Sequence, residues 1–252
     1  MPRNVRHILP RVASQRREKL TAVIPAFEEA GNIASVVREL QSLSKRNSKI
    51  DFVVVDDGSS DGTRELAIAA GARVISHPYN MGIGVTVQTG FRHALAHGAQ
   101  YVVQVDGDGQ HIPDEIEKLL PPLIAGTADV VVGTRFAKGQ GEGLQTTTFM
   151  RWLAGRALSL TIHFLTGSRI SDTTSGFRVF NREAAEYIAN NYPDDYPEVQ
   201  ILVNLARRGF RIVEVPVRMR SRTAGASSIN WWRAIYYVFK VMFSSFMDKV
   251  RR

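Results

Sequence analysis

The chain has 252 residues, of which 44% are hydrophobic and 22% are charged, a composition typical of a folded protein with a substantial core. It contains no cysteine, which excludes a disulfide scaffold, a cysteine-bound zinc site and thiol catalysis. The 32 Lys and Arg residues outnumber the 24 Asp and Glu residues, so the net charge is +8 and the isoelectric point is about 10.0. This excess favours an anionic partner, which would be a nucleic acid, a phosphorylated ligand or an acidic lipid surface.

Three segments are predicted along the chain. Residues 1–18 are basic and lack the continuous apolar stretch of a secretory signal, so we expect a flexible arm. Residues 19–228 are expected to form one domain, and residues 229–252 an amphipathic C-terminal helix. The most apolar candidate for a membrane span, 229–247, contains Arg233 and Lys240, whereas a span needs about 20 mainly apolar residues. We therefore expect a soluble or peripheral protein.

The first half of the chain alternates between two hydrophobic periods. Short runs rich in Val and Ile predict buried strands, at Leu20–Ile24, Phe52–Val55, Val74–Ser76, Tyr101–Val105 and Val130–Gly133. The segments between them have helical spacing, at 33–43, Thr63–Ala70, Val85–His97 and Pro113–Ala125. Repeated strand–helix–strand units predict an α/β fold, with an open and mostly parallel sheet flanked by helices.

The second half is expected to complete a site that the first half begins. A glycine-rich loop at 138–143 precedes a predicted helix at Phe149–Leu165. Further elements are expected in the order strand, helix, helix and strand, at Phe177–Phe180, Arg182–Asn190, Glu198–Arg208 and Ile212–Val217. A polar loop at 218–228 leads into the C-terminal helix.

Acidic or polar loops follow three of the predicted strands, at 25–29, 56–63 and 106–111. Ligands of open α/β sheets bind at the carboxyl ends of the strands. Asp106 and Asp108 lie one residue apart on a backbone flanked by glycine, so both carboxylates can turn toward one Mg²⁺ or Mn²⁺ ion, and Gln110 can add a carbonyl oxygen. The alternative is an ordinary acidic turn, since Asp-Gly pairs are common in turns.

Four segments, taken in order, resemble the family 2 glycosyltransferases. They are Val23-Ile-Pro-Ala-Phe-Glu-Glu29, Val54-Val-Asp-Asp-Gly-Ser-Ser-Asp-Gly-Thr63, Asp106-Gly-Asp-Gly-Gln-His111 and Asp172-Thr-Thr-Ser-Gly-Phe-Arg178. The resemblance covers roughly residues 18–230 and is greatest to the dolichyl- or polyprenyl-phosphate sugar synthases. It implies a Rossmann-like GT-A fold, a nucleotide-sugar donor, a divalent metal and inversion at the anomeric carbon.

The resemblance also implies roles for individual residues. Those expected to bind the nucleotide sugar are Pro25, Ala26, Glu28, Asp56, Asp57 and Asp106. Those expected to bind Mg²⁺ or Mn²⁺ are Asp106, Asp108 and Gln110. The predicted catalytic residues are Asp108, Arg178 and Asp172. A cation between two phosphates would neutralise the departing nucleoside diphosphate.

The second half supplies cations that could bind an acceptor phosphate, because arginine meets phosphate oxygens with a planar fork. Residues predicted for this role are Arg135, Arg151, Arg222 and Ser227, with Arg218 and Arg220 in the same loop as Arg222. The alternative is a solvated basic face. Two departures from the family pattern weaken the lipid-phosphate interpretation: Ser228 stands where the family has lysine, and Gly155 where it has serine.

The acceptor decides whether a base is needed. A phosphate monoester is already anionic near neutral pH, whereas a sugar hydroxyl needs a positioned carboxylate, for which Asp172 and Glu198 are the candidates. The leading prediction is transfer of a hexose from a GDP-, UDP- or dTDP-sugar to a polyprenyl phosphate. The alternative keeps this donor chemistry and uses a glycan or glycolipid hydroxyl in polysaccharide assembly. The sequence does not distinguish the donor bases.

The aromatic and cationic residues of 229–252 suit a lipid headgroup boundary, or a helix packed on protein. We therefore expect a peripheral enzyme at the cytoplasmic face of the membrane, held there directly or through a membrane partner protein. A nucleic-acid partner is not expected, because no nucleic-acid-binding motif accompanies the basic charge. A nicotinamide-dependent oxidoreductase is disfavoured, since Gly82 and Gly84 lack the third glycine of the dinucleotide motif.

Overall fold

A computed structural model describes residues 19–46, 50–135, 170–173, 175–193 and 197–220. The predicted arm at 1–18, the glycine-rich loop at 138–143, the helix at Phe149–Leu165 and the C-terminal helix lie outside these residues. Among the helices of the described part, none combines the length and the apolar character that crossing a bilayer requires.

The described elements form one sheet with helices on both faces. Its seven strands are β1 (Leu20–Ala26), β2 (Ile50–Asp56), β3 (Arg73–Ser76), β4 (Tyr101–Gln104), β5 (Val130–Thr134), β6 (Arg178–Asn181) and β7 (Ile212–Pro216). The helices are α1 (Ile33–Arg46), α2 (Thr63–Ala69), α3 (Ile83–Ala96), α4 (Ile116–Leu119), α5 (Pro121–Ile124), α6 (Arg182–Asn191) and α7 (Pro197–Arg207), with a 3₁₀ turn at Pro113–Glu115.

The strand order is β3-β2-β1-β4-β6-β5-β7. Strand β6 is antiparallel to β4 and to β5, whereas the other pairs are parallel. The prediction of a mostly parallel α/β sheet is therefore confirmed. Because β6 is reversed, the beginning of β6 lies at the same edge of the sheet as the ends of β4 and β5.

Each face of the sheet buries its own apolar layer. On one face, α3, α6 and α7 cover alternate residues of the central strands, including Val23 and Val55. On the other, α1, α2 and α4 cover the intervening residues, including Ile24 and Val54. Continuous apolar runs are what strands covered on both faces require, so the strand positions follow from this packing.

The predicted helix at Pro113–Ala125 is wrong in its continuity. The segment consists of the 3₁₀ turn followed by α4 and α5, which are separated at Leu120. Pro121 lacks a backbone N–H and its ring conflicts with the carbonyl four residues earlier. The two consecutive prolines, Pro121 and Pro122, therefore divide the helix.

Candidate active site

The loops after β1, β2 and β4 lie side by side, because these strands are neighbours and run parallel. Ala26 at the end of β1 is in register with Asp56 at the end of β2. The Asp57 N–H donates to the Ala26 carbonyl at 2.9 Å, and the Gly107 N–H donates to the Pro25 carbonyl at 3.3 Å. The three acidic loops of the sequence thus meet at one edge, as expected for the carboxyl ends of parallel strands.

Hydrogen bonds join the loop after β1 to the loop after β2. The Glu28 N–H donates to Ser59 Oγ at 3.0 Å, and Glu28 Oε1 accepts from the Ser60 N–H at 2.8 Å and from Ser60 Oγ at 3.0 Å. Glu28 has a φ of 55°, a left-handed conformation that is uncommon for a residue other than glycine. The joined loops hold it in this conformation at the site.

Asp56 and Asp57 are both buried but differ in their contacts. Asp56 accepts a hydrogen bond from the Ser59 N–H at 3.2 Å. Asp57 Oδ1 accepts from the Met81 N–H and Oδ2 accepts from the Gly82 N–H, each at 2.9 Å. Asp57 therefore fixes the loop that enters α3, and a direct contact with a donor stays a prediction.

His77 lies between Asp57 and α3, and it was not identified as a site residue from the sequence. Its Nδ1 lies 2.7 Å from Asp57 Oδ1, and its Nε2 lies 3.0 Å from Thr89 Oγ1 on α3. A Cβ at Gly58 would approach the Tyr79 carbonyl carbon to 2.5 Å, so the loop packs against the glycine of the acidic motif. The position of His77 directly after β3, at the same edge, was the available signal.

Asp106 and Asp108 follow β4 at the centre of this edge. Asp108 Oδ1 accepts from the Gln110 N–H at 3.0 Å, which fixes the turn, and the Asp106 side chain is 35% exposed. Among the described residues, no three His, Cys, Asp or Glu side chains are grouped as metal ligands. Two carboxylates and an amide still fit Mg²⁺, which is commonly bound by one or two carboxylates together with substrate phosphates.

Arg135 and Asp172 form a two-point ion pair. Arg135 Nε donates to Asp172 Oδ2 and Arg135 Nη2 donates to Asp172 Oδ1, both at 2.9 Å, while the Arg135 N–H donates to Oδ2 at 3.1 Å. The hydrogen bond with Asp172 raises the pKa of the Arg135 guanidinium above its ordinary value. Since both carboxylate oxygens of Asp172 meet this guanidinium, this geometry gives Asp172 the role of holding Arg135, and catalysis by Asp172 stays a prediction.

Glu214 on β7 holds the segment before Asp172 and was also missed. Its Oε1 accepts from the Ser171 N–H at 2.8 Å and from the Asp172 N–H at 2.7 Å, and its Oε2 accepts from Ser171 Oγ at 2.8 Å. The signal in the sequence was a glutamate within the apolar run of a predicted strand.

Arg178 lies beneath the site. Its side chain is buried, Nη2 donates to the Thr173 carbonyl at 3.1 Å, and Nε has no hydrogen-bond partner within the described residues. Burial lowers the pKa of Arg178. Four nearby acidic side chains oppose this shift, which are Tyr192, Glu198, Asp172 and Asp106. Burial also raises the pKa of the Glu198 carboxyl. The catalytic role predicted for Arg178 stays a prediction.

Residues 21–189 match the sequence profile described as Glycosyl transferase family 2. The chain belongs to this family. It is 29% identical over 233 residues to the polyprenol monophosphomannose synthase of Mycolicibacterium smegmatis, a match that covers 89% of this chain and 86% of the relative. It is also 29% identical to the UDP-N-acetylglucosamine–dolichyl-phosphate N-acetylglucosaminyltransferase of Methanococcus voltae, over 78% of this chain and 83% of the relative.

A solved structure shares the fold of this glycosyltransferase. It is the glucosyl-3-phosphoglycerate synthase of Mycobacterium tuberculosis in complex with Mg²⁺ and uridine diphosphate. The similarity has a TM-score of 0.61 at 25% identity and covers 83% of this chain and 73% of that chain. The GT-A fold and the resemblance to polyprenyl-phosphate sugar synthases are therefore confirmed.

The predicted acceptor residues of the glycosyltransferase fall partly outside the described residues, where Arg151, Arg222 and Ser227 lie. Two arginines just before that region are held by the body of the domain. Arg218 Nε donates to the buried Glu115 at 2.9 Å. Arg220 meets Glu39 on α1 through two hydrogen bonds, at 2.9 and 3.0 Å. Both side chains therefore anchor the segment after β7.

Proposed function

We propose that this family 2 glycosyltransferase is an inverting, metal-dependent hexosyltransferase whose donor is a nucleoside diphosphate sugar and whose acceptor is a polyprenyl phosphate. The observation that carries the proposal is the convergence of three acidic loops at the carboxyl edge of β2, β1 and β4. That convergence places Glu28, Asp56, Asp106 and Asp108 at one edge of the sheet.

On the donor side, Asp56 and the Pro25–Glu28 segment would border the nucleoside, because they lie at the adjoining ends of β1 and β2. Asp106, Asp108 and Gln110 would hold a divalent metal. When bound, Mg²⁺ or Mn²⁺ would neutralise charge on the departing diphosphate. The hydrogen bond from the Gln110 N–H fixes Asp108 for this role before the donor arrives.

On the acceptor side, the proposed group is a phosphate, because a phosphate monoester is already anionic near neutral pH and needs no base. Both carboxylate oxygens of Asp172 accept hydrogen bonds from Arg135, so this geometry assigns Asp172 to holding Arg135. The names of the two relatives, a polyprenol monophosphomannose synthase and a dolichyl-phosphate transferase, also favour a lipid phosphate. Arg135, with Arg151, Arg222 and Ser227, would contact that phosphate.

A second acceptor class has support from the solved structure. That protein is a glucosyl-3-phosphoglycerate synthase, and the product in its name is not a lipid. A hydroxyl acceptor, on a small molecule, glycan or glycolipid, would require a base. Glu198 is the remaining candidate for that base, because its raised pKa favours proton acceptance once it is ionised.

We place the reaction at the cytoplasmic face of the membrane, with peripheral attachment. The support is a sequence argument: residues 229–252 interleave aromatic and cationic residues, which suits anionic headgroups. A membrane partner protein could provide the same attachment.

The donor is tested by thermal unfolding with UDP, GDP and dTDP, each with and without Mn²⁺. A nucleotide that binds the native state raises the melting temperature by mass action, so the cognate base should give the largest increase and should require the metal. Equal melting temperatures with all three nucleotides, in the presence of Mn²⁺, would contradict the donor assignment.

The acceptor is tested with the radiolabelled cognate sugar donor and a short polyprenyl phosphate. A labelled lipid product that mild acid cleaves supports the phosphate acceptor, and its absence favours the hydroxyl class. Asp108→Ala should abolish turnover, whereas Asp114→Ala should retain it, since the Asp114 side chain is 54% exposed in a surface pair with Arg46. Activity of Asp108→Ala equal to that of wild type would refute the metal assignment.

A further inference from the structure

Asp106 is held in place by three neighbouring residues. Its carboxylate is partly exposed at the edge of the sheet where we propose that the donor binds, yet the three residues next to this side chain are buried. They are Gln104 on β4, His111 after the acidic loop and Gly176 before β6. Each constrains a different part of Asp106.

Gln104 constrains one carboxylate oxygen. It is a polar residue at the end of the apolar run of β4 and is only 5% exposed. A buried amide is costly unless it is hydrogen bonded. Gln104 Nε2 donates to Asp106 Oδ1 at 3.1 Å, so the partner that satisfies the amide also fixes the rotation of the carboxylate.

His111 constrains the backbone of Asp106, and its ring lies near the second carboxylate oxygen. Its Nδ1 accepts a hydrogen bond from the Asp106 N–H at 3.0 Å, which requires the ring proton of the neutral imidazole to be on Nε2. That nitrogen lies 3.6 Å from Asp106 Oδ2, a distance that is longer than a hydrogen bond. The ring stacks on Phe177, with centroids 4.7 Å apart and planes inclined by 14°.

Gly176 supplies the space for the carboxylate. A Cβ at this position would lie 2.6 Å from Asp106 Oδ2 and 3.1 Å from Oδ1. The backbone of Gly176 does not have a positive φ, so the need for glycine comes from this close approach. A side chain here would force the carboxylate to turn away from its present position.

We propose that Gln104 and His111 are positioning residues, which hold the Asp106 carboxylate in the orientation that the metal and the donor require, in a space provided by Gly176. This inference rests on the proposed function, because it assigns Asp106 to the donor site. Groups that orient a metal ligand commonly change metal affinity by about 10–100-fold when they are removed. His111 and Gln104 are close enough to have this effect without contacting the metal themselves.

The test uses the full chain and two variants that preserve shape. His111→Phe keeps a flat ring against Phe177 and removes both nitrogen contacts. Gln104→Leu keeps the side-chain volume and removes the amide donor. The matched controls are His97→Phe, at an exposed histidine after α3, and Gln100→Leu, before β4.

Two affinities are measured for each protein: that of Mn²⁺, by electron paramagnetic resonance with the nucleoside diphosphate chosen by thermal unfolding, and that of the same nucleotide in EDTA. We expect His111→Phe to weaken Mn²⁺ binding by about tenfold and to leave nucleotide binding in EDTA within twofold. Gln104→Leu should act in the same direction, and the controls should match wild type. Mn²⁺ affinity within twofold of wild type in both variants would overturn the proposal, as would an equal loss of nucleotide binding in EDTA.

A spectroscopic test needs no variant and no ligand. In a ¹H–¹⁵N spectrum of the histidine rings of the wild-type protein, identified by contact with Phe177, His111 should carry its proton on Nε2 alone. A proton on Nδ1 would overturn the positioning proposal. Wild type that binds no Mn²⁺ with any nucleoside diphosphate would instead refute the proposed function, so the two failures can be distinguished.

Discussion

Asp57→Asn tests whether this carboxylate holds a loop or binds a ligand directly. The two oxygens of Asp57 accept three hydrogen bonds, from His77 Nδ1 at 2.7 Å and from the N–H groups of Met81 and Gly82 at 2.9 Å. Asparagine has one acceptor oxygen, so at least one backbone N–H would face an amide NH₂ group. The Asp57 side chain is 4% exposed, and water cannot readily replace the lost acceptor.

The expected effect follows from these contacts. A hydrogen bond to a charged group contributes roughly 1.5–3 kcal/mol, and the substitution removes one such bond and weakens the others. We expect a loss of about 3 kcal/mol in the free energy of unfolding, which corresponds to roughly 6–12 °C in melting temperature for a domain of this size. The KM for the donor should rise more than kcat falls, because the loop after β3 would be less well held.

Thermal unfolding followed by circular dichroism, together with donor kinetics, measures both effects. The control is Asp51→Asn, because Asp51 is 60% exposed in a surface pair with Lys19, and such pairs contribute at most about 1 kcal/mol. If Asp57→Asn melts within 2 °C of wild type while donor binding is lost, Asp57 contacts the donor and its assignment to the loop is refuted.

Three further predictions concern stability. Gly90→Ala places a methyl group against Val23 of β1, and we expect it to lower the free energy of unfolding by about 1–2 kcal/mol after the gain in helix propensity. An unchanged denaturant midpoint would contradict this. Hydrogen bonds from Arg211 lower the pKa of Asp129. The pair therefore stabilises the fold at a pH above the ordinary pKa of aspartate, and this stabilisation is lost as the pH falls through the lowered pKa of Asp129. The difference in melting temperature between wild type and Asp129→Asn should shrink below about pH 4. Arg135→Ala leaves Asp172 buried without its guanidinium and should cost roughly 3–5 kcal/mol, whereas Arg135→Ala combined with Asp172→Asn should regain stability but not activity. Recovered turnover in that double variant would exclude a phosphate contact by Arg135.

Most of the fold could be predicted because it depends on local pattern. Buried parallel strands require continuous apolar runs, and the described strands begin and end within two residues of those runs. The reversal of β6 could not be read in this way, because Arg178–Asn181 has the same apolar character in either direction. Strand β6 pairs antiparallel with Gln104 of β4 on one side and with Val132 of β5 on the other, and such pairing between distant segments leaves no local pattern.

The site could be predicted where it depends on strand ends, and less well where it depends on pairing between charges. Asp56, Asp106 and Asp108 lie at the same edge of the sheet, as expected, because parallel strands end at one edge. The partners of Arg218 and Arg220 are Glu115 and Glu39, which are 103 and 181 residues away in sequence. No local signal separates an arginine held by a distant carboxylate from one that is open to a ligand.

The place of β6 in the sheet has a consequence for synthesis on the ribosome. The first 104 residues include β1 to β4, and the neighbour that covers the outer side of β4 begins only at Arg178. Strand β5 emerges earlier but pairs with β6 and β7 among the described strands. The nascent chain thus carries an apolar strand with one open side while more than 70 further residues are translated, a stage at which unpaired edges promote aggregation. Chaperone dependence should be greatest for chains stalled in this interval.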